Sequence, residues 1–92
     1  MAAKDWESVW PNTQRRYFDD GMVTVYPVPT IFDTKVWRAD VRFFSPNPQE
    51  GMRTFTEERD TELAAKRAGM KRLRQMYVEW CRQNRQKWLP PS

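Results

Sequence analysis

Residues 61–89 read TELAAKRAGMKRLRQMYVEWCRQNRQKWL, and the reading of this stretch decides the reading of the rest. With Leu73 set at zero and a step of about 100° per residue, the helical period, Leu63, Ala65, Met70, Met76, Tyr77, Trp80, Cys81 and Trp88 fall on one broad face. Arg67, Lys71, Arg74, Arg82 and Arg85 gather on the opposite side. The spacing therefore predicts one long two-sided helix, apolar towards the protein and cationic away from it. Glu57, Glu58, Asp60 and Glu62 cluster where such a helix starts, and acids there complement its dipole. Thr56 or Asp60 can serve as its N-cap. Gly69 on the apolar face points to a close approach of the helix to whatever it covers.

What it covers is read from the residues before it. In Lys35 to Phe44 the side chains of Trp37, Ala39, Val41 and Phe43 share one face and Arg38, Asp40 and Arg42 the other, the period of two of a half-buried strand. Met22 to Tyr26 alternates in the same way, with Val23 and Val25 together, after the turn signal Asp20-Gly21. Pro27 and Pro29 place the later half of that strand at an edge or outside the sheet. Residues 45–51 form a loop by their Pro, Asn and Gly content. Met52 to Thr56 is a short third strand with Phe55 inward. The expectation is an α+β fold: a three-stranded antiparallel sheet packed against one long C-terminal helix, β-β-β-α. Residues 21–89 form the single domain and residues 1–20 an N-terminal arm carrying Trp6 and Trp10.

The composition fits one domain with one modest core. The chain has 92 residues, of which 39% are hydrophobic, and five Trp must supply much of the buried area. Its net charge of +4 hides a split. Residues 63–92 hold eight Lys or Arg against Glu79 alone, whereas residues 1–62 hold eight against eleven acids. A cationic last third calls for an anionic partner, whether nucleic acid, an acidic protein surface or a lipid headgroup. The alternative is a solvated face kept soluble by Arg and Gln. A single cysteine, Cys81, allows no internal disulfide and favours a reducing, intracellular compartment, cytoplasm or organellar matrix alike. No apolar run approaches the roughly 20 residues that span a bilayer.

Catalytic chemistry finds little footing. The chain has no histidine, and with one cysteine no His/Cys metal constellation can be assembled. Asp19-Asp20 and Glu57-Glu58 are neighbours whose side chains diverge, and turn chemistry and dipole complementation explain them. Gly21, Gly51 and Gly69 have no phosphate-cradling spacing. No enzyme activity, cofactor or metal is expected.

Two classes stand ahead of a third, an amphipathic helix lying on an anionic membrane with Tyr77, Trp80 and Trp88 at its interface, which needs the same face as the sheet. The first is a small nucleic-acid-binding protein, alone or in a ribonucleoprotein, contacting RNA or DNA phosphates through Arg67, Lys71, Arg74, Arg82 and Arg85, with Arg38 and Arg42 on the outer sheet face as a second cationic surface. The second is an accessory subunit or adaptor of a larger assembly, organellar or otherwise, held through Trp6, Trp10 and Trp88. The order of three short strands and a basic helix resembles the small DNA-binding modules at the N-terminus of phage integrases. Ala64-Ala65-x-x-Ala68 is similar to the Ala-rich last helix of double-stranded-RNA-binding domains, although Glu57, Glu58 and Glu62 stand where those domains carry a lysine pair. Both likenesses are of architecture, and neither assigns a role to a residue here.

Overall fold

The computed structural model describes residues 5–31, 35–45 and 51–88, with side chains as far as Gln83. Five strands are followed by one helix: β1 (Glu7–Trp10), β2 (Thr13–Phe18), β3 (Gly21–Pro29), β4 (Lys35–Phe44), β5 (Met52–Arg59) and α1 (Glu62–Trp88). The strands form a single sheet in the order β1-β2-β3-β4-β5, every neighbour antiparallel. The α+β class and the C-terminal helix are as expected, but the sheet has five strands and not three. The two extra strands come from the stretch expected to be an arm. Pro11-Asn12 reverses the chain between β1 and β2 with Asn12 at φ 59°, a left-handed conformation that Asn tolerates better than most residues. Asp19-Asp20 then closes the β2–β3 hairpin, with Phe18 paired to Gly21.

Pro27 and Pro29 do not take β3 out of the sheet; β3 pairs with β4 over its whole length, from Gly21↔Phe43 to Pro29↔Lys35. β5 is longer than expected, so Glu57 and Glu58 belong to the strand and only Glu62 lies in the first helical turn. The helix is capped by neither Thr56 nor Asp60 but by Thr61, whose Oγ1 accepts the Ala64 N–H at 3.1 Å. The expected loop at 45–51 has residues 46–50 outside the described residues.

One face of the sheet is covered by α1. Val23, Val25, Ala39, Val41 and Phe43 lie beneath it, fully or almost fully buried, against Ala65, Leu73 and Met76. Burial of each such Val, Leu, Met or Phe side chain contributes roughly 1.5–3 kcal/mol. Trp6, Phe18, Trp37 and Trp80 close the margins of this core. Gly69 lies close against the sheet: a Cβ there would lie 2.5 Å from Val23 Cγ1 and 3.0 Å from the Ala39 Cβ. The close approach expected of this glycine is therefore present.

Phe55, expected inward, shares the face of its partner Val41 but is 47% exposed, covered there only in part, with the Arg72 guanidinium of α1 4.7 Å over its ring. The buried span of α1, Ala65 to Met76, is only about 17 Å of a helix of about 40 Å. Trp80 is half-buried, and Tyr77, Val78, Arg82 and Gln83 are exposed.

Candidate nucleic-acid interface

The sheet does not meet α1 where the periodicity was centred. The buried helix positions, Ala65, Gly69, Leu73 and Met76, average about 45° to one side of Leu73 on the 100° wheel. Leu63 and Tyr77 consequently sit on the shoulder, 57% and 43% exposed. The same rotation carries the basic residues from a flank to the crest. Arg67, Lys71, Arg74 and Arg82 lie diametrically opposite the core contact, all exposed, and the row runs for about 22 Å along the axis. Lys71, Arg74, Gln75, Val78, Glu79 and Arg82 line a shallow open depression on this crest. Among the described residues none of the four cations is paired with a carboxylate. Arg85 continues the row within α1, and its side chain lies outside the described residues, as does that of Trp88.

The cations elsewhere are mostly engaged by the protein's own acids. Arg72 reaches across to β5 and bonds Glu57 at 2.7 Å, holding that carboxyl below its ordinary value near 4.5. Arg59 approaches Glu57 at 3.3 Å, and Lys66 pairs with Glu62 at 3.1 Å one turn away. Lys66 also donates to Gln14 and sits 5.0 Å over the Trp6 ring, tying β1 and β2 to the helix. Arg16 is half-buried under α1, its guanidinium against Met70 Sδ and 5.2 Å over Phe18.

Arg38 and Arg42 are on the open face of the sheet as the alternation required, yet neither is free. Arg38 pairs with Glu58 at 3.2 Å, and the Tyr26 hydroxyl and Glu58 together raise its pKa. Arg42 stands 3.6 Å from Asp40. The open face and the crest of α1 are on opposite sides of the molecule, so no flat surface engages both. Arg15 on β2 was not singled out by the sequence, because four consecutive polar residues, Thr13 to Arg16, hide its alternation. It donates to Thr24 Oγ1 at 2.9 Å on the open face.

The tryptophans divide. Trp6 is half-buried against the core, whereas Trp10, at the β1–β2 turn, is 74% exposed. Among the described residues no group of three His, Cys, Asp or Glu side chains is placed to hold a metal ion. No described helix is long and apolar enough to cross a membrane. Comparison with protein-family models, with curated proteins and with solved structures gives no match to this chain.

Proposed function

We propose that the chain is a non-catalytic nucleic-acid-binding protein that grips RNA or DNA phosphates along the crest of α1. The observation that carries this reading is the row of Arg67, Lys71, Arg74 and Arg82, exposed and unpaired among the described residues, whereas Arg38, Arg42, Arg59, Lys66 and Arg72 are tied to the protein's own acids. Three of the four are Arg, whose planar fork suits phosphate oxygens. Arg67, Lys71 and Arg74, four and three positions apart, are helix-surface neighbours with Cβ atoms about 5–6 Å apart, and Arg82, two turns further on, extends the same row. Arg38 and Arg42 contribute less in this reading, since each would have to leave a carboxylate. Arg74→Glu with Arg82→Glu should abolish binding to nonspecific duplex in low salt while leaving the circular-dichroism spectrum unchanged. Undiminished affinity of the folded double variant would refute it.

A second reading, an accessory subunit docked through a protein surface, is favoured by one observation, the exposure of Trp10 at the tip of the first hairpin. Trp is the residue most enriched among interface hot spots.

A further inference from the structure

The two edges of the sheet are unlike. β1 has four residues and an irregular register between Ser8 and Trp10, so it offers little to pair with. β5 has eight residues, an unbroken register with β4 and no proline. Among the described residues no strand pairs with its outer side. From this edge we infer that two copies of the chain join β5 to β5 in antiparallel fashion, making one continuous sheet across a two-fold axis.

The register can be derived. Ser45 N–H donates to Gly51 O, and alternation along the β4–β5 ladder then turns the backbone groups of Arg53, Phe55 and Glu57 towards β4. Thr54, Thr56 and Glu58 turn theirs to the open edge. Residues opposite one another in antiparallel strands share a face, so a two-fold axis must pass through a residue. With the axis at Phe55, Thr54 faces Thr56 of the second copy and exchanges two backbone hydrogen bonds with it. Arg53 faces Glu57 of the second copy, on both sides of the axis. The two Phe55 rings meet in the non-hydrogen-bonded position, where side chains come closest.

Moving the axis to Thr56 sets Arg53 against Arg59 and Phe55 against Glu57. Moving it to Thr54 sets Arg53 against Phe55 and Glu57 against Gly51. Only the Phe55 axis matches charge with opposite charge and ring with ring. Arg53 is exposed and unpaired among the described residues, and Glu57 has lone pairs to spare beyond its two arginine contacts. The charges on this edge, which would repel a strand in other registers, become the attraction in this one. The pairing does not depend on the nucleic-acid reading.

Light scattering over a concentration series decides it. The expected result is a reversible shift from 11.1 kDa to twice that mass. Thr54→Pro removes an N–H that faces the open edge and spares the β4 ladder, so it should weaken association at least tenfold while the circular-dichroism spectrum keeps its native form. In a Cys81→Ser background, Phe55→Cys should form an intermolecular disulfide under mild oxidation. Thr56→Cys, displaced along the strand beyond bridging distance, should not. A monomer at every concentration, a dimer unaffected by Thr54→Pro, or cross-linking at 56 in preference to 55 would each overturn the pairing. If Thr54→Pro fails to fold, the two cysteine variants decide alone.

Discussion

At Gly69 two tendencies oppose each other, and distance settles which wins. Alanine in a helix interior is favoured over glycine by about 1 kcal/mol, but the added methyl would meet Val23 and Ala39 inside contact distance. Gly69→Ala should therefore lower stability by about 1–3 kcal/mol, measured by urea unfolding, instead of raising it. Glu57 tests the electrostatics at the same scale. Its carboxyl is held low chiefly by Arg72, so its contribution is complete above the ordinary value near 4.5 and is lost as pH falls through the depressed one. Glu57→Gln should cost under about 1 kcal/mol at neutral pH. Wild type and variant should converge as the medium becomes strongly acidic. A gap that persists in strong acid would assign the stabilisation to something other than this ion pair.

Among the elements, α1 was the most legible and the first hairpin the least. The helical period needs only the sequence, and Gly69, Leu73 and Met76 faced inward as read. The 45° rotation could not be read, because Leu63, Tyr77 and Cys81 are as apolar as the residues that won burial. Which sector is covered depends on where Gly69 lets the backbone descend onto Val23. β1 and β2 escaped because β2 inverts the usual pattern: Gln14 and Arg16 lie on the covered side, held there by Lys66 and Met70, so polarity no longer marks the solvent face. A two-residue reversal at Asp19-Asp20 between Tyr17-Phe18 and Met22-Val23 was the available hairpin signal. For the crest the measurable quantity is salt dependence. The four described cations allow a slope of log affinity against log salt near −3 to −4 on duplex DNA, and each charge removed should flatten it by about 0.9. A slope unchanged by Arg74→Glu would place the phosphate contacts elsewhere.

On the scale of the molecule, the unequal distribution of charge was plain in the sequence, while its geometry was not. Acids of the first two-thirds neutralise Arg38, Arg42 and Arg59 of the sheet and Lys66 and Arg72 of the helix, while four exposed cations without a carboxylate partner among the described residues line up on the ridge farthest from the sheet. The two aspects of the sheet are equally unlike, one greasy and roofed by α1, the other a lattice of Arg, Tyr, Thr and acidic groups whose longer side chains cover Met22 and Thr24 at its centre. Every strand lies beside its predecessor in the chain, and the roof comes after all five. During synthesis the strands can thus emerge and pair in turn, yet Val23, Val25, Val41 and Phe43 stay wet until the ribosome has translated past Met76. A chain stopped after Asp60 should consequently show no cooperative thermal transition and should bind a hydrophobic dye. A nascent sheet waiting for its lid is a substrate for holdase chaperones, and the interval before α1 arrives is the moment at which this protein is most exposed to aggregation.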